Sequence, residues 1–136
     1  MSNPVSANLQ NRLQWSLLTL RLGIFIVFAM WALDKFIDPA HGAAVLSSFY
    51  GLNAPHSIFY IIGILQVLLV LAFVLGIKKR FSYGMILLMH ALSTFSSFPR
   101  YLDGFNNLLF FAAWPMLAAC IALYLLRDED VKLTIK

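Results

Sequence analysis

Four nearly uninterrupted apolar stretches, at 15–33, 57–77, 83–98 and 108–126, take up more than half of the 136 residues of this chain. Three of them run ~20 residues, the length an α-helix rising 1.5 Å per residue needs to cross ~30 Å of hydrocarbon. A water-soluble domain of this size could not bury all four, because they leave no polar faces to meet solvent. The pattern predicts an all-α integral membrane protein, a four-helix bundle forming one domain over 1–136. Continuous apolar runs also exclude barrel strands, which alternate over ~10 residues.

Composition fits that class: 61% of residues are hydrophobic and only 12% charged, against ~25% charged in ordinary soluble domains. The net charge of +4 does not point to nucleic acid, since the basic residues form no patch interleaved with exposed aromatics. They sit in the connectors, with a bias. Arg12, Lys78, Lys79, Arg80, Arg127, Lys132 and Lys136 fall on one side of a four-span topology and only Lys35 and Arg100 on the other. The positive-inside rule then places both termini and the Lys78–Arg80 turn in the cytoplasm. The first apolar stretch is too long for a signal-peptide core, contains Arg21 and lacks a small-residue cleavage site after it. Cys120, the lone cysteine, can form neither an intrachain disulfide nor a CxxC redox pair.

The connector from Asp34 to His56 carries structure of its own. Asp38-Pro39 reads as an N-cap followed by proline at the first helical position, and Gly51 stands where a helix would stop. Val45, Leu46, Phe49 and Tyr50 recur between them at helical spacing, predicting a short amphipathic helix at the membrane interface between helices one and two. Pro99 is expected to end the third helix and Asp103-Gly104 to make the turn beyond it. Pro115, seven residues into the fourth stretch, should kink that helix beside Trp114.

Function should reside in the polar groups at membrane depth, where an unpaired charge costs ~2.5–3.5 kcal/mol on insertion scales. Arg21 lies six residues past Trp15, Gln66 is mid-span on the second helix, and His90 lies on the third. His90, Thr94, Ser97 and Tyr101 follow one another on a single helical face, with Ser93, Ser96 and Arg100 in a row beside it. The candidate pocket is therefore Arg21, Gln66, His90, Thr94, Ser97, Arg100 and Tyr101. Trp31, Lys35, Asn106 and Trp114 form its outer rim, where Asp34, His41, His56 and Asn107 also gather. A plainer reading stands beside this one: Arg21 snorkels to the headgroups, Gln66 and His90 share a hydrogen bond, and the serines and threonine let helices approach closely. The three histidines lack metal-site spacing, so no metal is assigned.

The first-helix run RLGIFIVFAMWALDKFIDP (Arg21–Pro39), the Phe98-Pro99 element and the stretch from Asn107 through Leu126 into Arg127-Asp128 resemble the DoxX-like family. This family of small four-helix bacterial membrane proteins is grouped with the DoxD subunit of thiosulfate:quinone oxidoreductase and with MauE. Arg21, Lys35 and Pro99 match its pattern, and the likeness covers essentially the whole chain. It implies a bundle serving membrane redox or sulfur metabolism, sometimes as the partner of a catalytic subunit.

Two function classes follow. In one, the chain is a quinone-interacting accessory: quinone is its only cofactor, His90 exchanges a proton with the head group, and Arg21 or Arg100 stabilises the anionic form. Electrons would then come from a membrane or periplasmic redox partner, since no haem, flavin or iron–sulfur motif is present. In the other it is a non-enzymatic assembly subunit or a small-molecule transporter working as a homo-oligomer. Its surroundings in both are the lipid bilayer.

Overall fold

The computed structural model describes residues 4–135, with the side chains of residues 4 and 5 excluded, and the fold is all-helical. Helix α1 (Pro4–Ile37), α2 (Pro39–Tyr50), α3 (His56–Val74), α4 (Lys79–Ser96), α5 (Phe98–Leu102) and α6 (Ala113–Leu125) follow in order. Short 3-10 turns at Gly104–Asn106, Leu108–Ala112 and Arg127–Glu129 complete the chain. Three segments are long and apolar enough to cross a membrane: Ser6–Ile37, His56–Val74 and Leu108–Leu125. Helix α4 is less apolar, because Lys79 and Arg80 open it and His90, Ser93, Thr94 and Ser96 fill its second half.

The four long helices close a ring, α1 packing on α3, α3 on α4, α4 on α6 and α6 back on α1. Their shared core is Leu17, Ile24, Phe28, Val70, Phe73, Tyr83, Ile86, Cys120 and Leu123. Outside it the surface is apolar: Ile26, Met30, Leu65, Leu68, Leu92 and Leu125 are all exposed. At Gly63 a Cβ would lie 2.8 Å from the Phe36 ring, so the missing side chain is what lets the end of α1 press on α3.

Local signals account for most boundaries. Asp38 caps α2 by accepting from the His41 amide at 3.2 Å, Pro39 occupies its first turn, and Gly51 ends it in the left-handed region at φ 65°. Helix α1 runs well beyond the apolar stretch that begins at Trp15: it covers Pro4–Ile37, 34 residues and about 51 Å, and Gln10 in its early turns donates to Glu129 Oε2 at 3.1 Å. Pro99 opens the short helix α5 rather than simply ending the one before. Beside Pro115 the helix over Leu108–Leu125 changes type: it is 3-10 over Leu108–Ala112 and α-helical from Ala113, leaving Pro115 in the first turn of α6, where its missing N–H costs little.

The C-terminal segment, which reads as a simple tail in the sequence, folds back into the bundle at the end marked by the Lys78–Arg80 turn. Arg21 and Asp130 are both 0% exposed, with Nη1 and Oδ1 2.7 Å apart. That contact is a charge pair without hydrogen-bond alignment. The directed bonds come from neighbours. Arg21 Nη2 donates to the Lys132 carbonyl at 2.5 Å, Tyr83 Oη donates to Asp130 Oδ2 at 2.7 Å, and Lys79 Nζ donates to the Asp130 carbonyl. The Ile135 amide donates to the Leu75 carbonyl at 2.8 Å, and Lys132 lies over the Trp15 ring. Gly76 makes room for the segment: its φ is +71°, and a Cβ there would lie 2.6 Å from the Thr134 side chain.

Removing one member of a buried pair strands the other charge, at a cost of about 3–5 kcal/mol. Here the two members differ, because Arg21 is fixed mid-helix while Asp130 can swing out to water on its short segment. Asp130→Leu should therefore lower the unfolding free energy in detergent by about 3–5 kcal/mol. Arg21→Leu should cost less, and the double variant should be no less stable than Arg21→Leu. Additive losses in the double variant would show that the two side chains are not coupled.

Candidate functional site

A cleft opens between the helices at the end of the bundle opposite the Lys78–Arg80 turn. Its volume is about 280 Å³ and ten residues line it. Helix α1 gives Val27, Phe28, Trp31 and Lys35, which share one face because they recur at about helical period. Helix α3 gives Gln66, and α4 gives Met89, His90 and Ser93. Helix α2 packs across α1 and α3 and supplies Val45 and Tyr50. Aromatic and aliphatic groups make most of the wall, with a few polar atoms set into it.

The polar atoms are specific. His90 Nε2 lies 3.0 Å from the Ala113 carbonyl. A carbonyl can only accept, so Nε2 carries the proton and a neutral ring keeps Nδ1 as an acceptor. The ring is held edge-on by Phe28, with centroids 6.4 Å apart. Gln66 is 8% exposed, and its Oε1 has no hydrogen-bond partner among the described residues. Lys35 Nζ donates to the Trp31 carbonyl at 3.3 Å, which keeps the ammonium beside the cleft mouth. Trp31 stacks on His41, whose Nδ1 pairs with Asp34 Oδ2 at 2.6 Å.

Of the residues expected to form one pocket, Gln66 and His90 line the cleft, joined by Trp31 and Lys35 from the expected rim. The others are elsewhere. Arg21 is two helical turns from Phe28 and is committed to Asp130, so it does not meet His90. The Thr94 hydroxyl is spent on the His90 carbonyl at 2.8 Å, and that of Ser97 on the Ser93 carbonyl at 2.8 Å. Each bonds its own helix four residues back, the competing use of such side chains. Tyr101 donates to the Thr94 carbonyl at 2.9 Å and packs against Phe111 and Trp114. Desolvation raises its phenol above the ordinary range, keeping it a neutral donor. Arg100 lies over the rings of Phe49 and Phe110 in a separate groove shared with Asp103 and Asn107. Asn106 closes the loop by donating to Asp103 Oδ1 at 2.9 Å.

Site reasoning from sequence leaves out Val27, Phe28 and Met89, apolar residues with no mark to set them apart, and Val45 and Tyr50 of α2. The last two could have been found. Their signal is present in the apolar face of α2, but an amphipathic helix drawn against a membrane surface reads the same as one drawn against a bundle. Among the described residues, no three of His, Cys, Asp or Glu converge to hold a metal.

The chain matches no protein-family model, and no curated protein or solved structure is significantly similar to it.

A buried acceptor with no partner costs about 1–3 kcal/mol. Gln66→Met, close in volume and free of polar atoms, should raise the unfolding free energy of the unliganded protein by about 1 kcal/mol. A fall in thermal stability would mean that the amide already has a structural partner.

Proposed function

We propose that this chain is a DoxX-like, four-span protein of a bacterial inner membrane that binds the head group of a quinol in the α1–α2–α3–α4 cleft. It would act as an accessory subunit beside an electron-carrying partner. Support for the membrane placement comes from three spanning-length apolar helices and from the exposed apolar exterior, far larger than the few hundred Å² tolerated on soluble monomers. The fourth span would be α4, whose polar half turns toward the cleft and the ring of helices. Lys78, Lys79, Arg80, Arg127 and Lys132 gather at one end, which favours a cytoplasmic position for that end and for both termini.

The observation that carries the ligand assignment is an aromatic-walled cleft lined by both Gln66 and His90. Gln66 Oε1 lacks a partner among the described residues, and His90, with Nε2 committed to Ala113, has Nδ1 to offer. Such a site selects a ligand that donates hydrogen bonds and has flat apolar faces. A ring bearing hydroxyls fits between Phe28, Trp31 and Tyr50, and a quinol brings two-electron redox chemistry when bound. What the protein contributes is orientation and a proton acceptor at Nδ1. Arg21 has no part in this site, because its charge is neutralised at the other end of the bundle.

Calorimetric titration of the detergent-solubilised protein with a short-tailed quinol, kept reduced, tests the reading. Saturable binding is expected, weakened about tenfold by His90→Phe and about tenfold by Gln66→Met. Arg100→Gln, outside the cleft, should leave it unchanged. Because Gln66→Met is expected to fold at least as well as the parent, its loss of affinity cannot come from unfolding. Equal, non-saturating uptake by all four proteins would reduce the signal to partitioning and overturn the assignment.

A further inference from the structure

A second concavity lies at the basic end, where the α3–α4 turn meets the returning C-terminal segment. Its volume is about 570 Å³, and its lining includes Lys78, Lys79, Arg80 and Arg127 against the single acid Asp128. Among the described residues, the only ion pairs are Arg21–Asp130 and Asp34–His41, so no described carboxylate forms an ion pair with this cluster. Two of the cations are fixed in place. Lys79 is held by the Asp130 carbonyl, and Arg127 donates to the Tyr124 carbonyl at 2.8 Å while lying 4.4 Å from the Tyr124 ring centroid. That leaves Arg127 with further N–H groups on a guanidinium whose orientation is already set.

The same groove is lined by apolar side chains that the fold leaves uncovered: Phe81 is 63% exposed, with Val131 and Ile135 about half exposed. A free inorganic anion would satisfy the cations and leave these groups in water. An acidic protein segment would need a complementary hydrophobic ridge at membrane level. A phosphodiester carrying acyl chains satisfies both halves at once. We propose that this groove is a binding site for an anionic phospholipid. Its phosphate is held by Lys78, Arg80 and Arg127, and its chains run beside Phe81 and Ile135. The inference rests on the membrane placement proposed above and is independent of the quinol cleft. Basic pockets beside spanning helices recognise lipid headgroups by this combination of charge and adjoining apolar surface.

The test is native mass spectrometry of the full chain released from detergent, titrated with phosphatidylglycerol or phosphatidylcholine of the same acyl composition. Retention of phosphatidylglycerol over phosphatidylcholine is expected. It should fall about tenfold in Lys78→Gln/Arg80→Gln and further when Arg127→Gln is added, while Arg12→Gln, outside the groove, retains it fully. The double variant leaves the Arg127–Tyr124 contact intact, so matched thermal stability separates lost binding from lost folding. Equal retention of the two lipids, or undiminished retention by the variants, overturns the site. So does displacement of the lipid by inorganic phosphate at equal concentration, which would assign the groove to the free anion. Carbonate extraction of native membranes separates the two levels. A chain that resists extraction but shows no lipid preference lacks this site, whereas a chain released by carbonate is not integral, and the lipid site falls with the membrane placement.

Discussion

A guanidinium sealed inside a ring of apolar helices demands a counter-charge, and among the described residues the segment returning after α6 is the one that brings it to Arg21. Asp130 answers that demand, and much of the architecture at this end follows from it. The segment must turn back, so the backbone enters the left-handed region at Leu133. It must come close, so Gly76 has no side chain where Thr134 packs. The carboxylate must be held by more than one charge, so Tyr83 donates to its second oxygen while Lys79 fixes the carbonyl of the same residue. Buried ion pairs are weak sources of net stability but strong enforcers of arrangement, because every misplaced geometry leaves a bare charge.

The two ends of the bundle thereby acquire different characters. At the basic end the charge of Arg21 is met by that of Asp130, although Arg21 Nε and Nη1 and Asp130 Oδ1 make no directed hydrogen bond. At the other end Gln66 Oε1 has no partner among the described residues, His90 is committed on one nitrogen, and both side chains line an open cleft that α2 borders. A neutralised pair sealed from solvent has little to offer a ligand, whereas polar groups with bonding capacity beside an open volume do, and that is why the cleft rather than the buried ion pair reads as a site. Gly63 contributes by letting Phe36 lie against α3, which draws the end of α1, with Lys35, close to the cleft mouth.

The helical course of the chain was legible because its signals are local. Apolar run length marks the helices long and apolar enough to cross a membrane, while Asp38, Pro39 and Gly51 bracket α2 by cap chemistry that needs no tertiary knowledge. The site was legible only in part. Helical spacing put His90, Thr94, Ser97 and Tyr101 on one face, yet spacing cannot say whether a hydroxyl points into a cavity or bonds the carbonyl one turn back, and Thr94 and Ser97 do the latter. Depth along a helix suggested that Arg21 and His90 were neighbours. The partner of Arg21 lies 109 positions further along the chain, in a polar tail with no periodicity to announce that it returns. Pairings of that separation are set by the closed fold, which is why Asp130 was silent in the sequence.

Residues 130–135 are a built part of the bundle, anchored by the charge on Arg21. Hydrogen–deuterium exchange of the protein in lipid nanodiscs measures this most directly, since the Ile135 amide donates to Leu75 and the segment is tied at Asp130 and Lys132. The Ile135 amide should exchange orders of magnitude more slowly than in an unstructured chain, and Arg21→Leu should abolish that protection while leaving α3 and α6 protected. Labelling of the segment at unstructured rates in the parent protein would contradict the account.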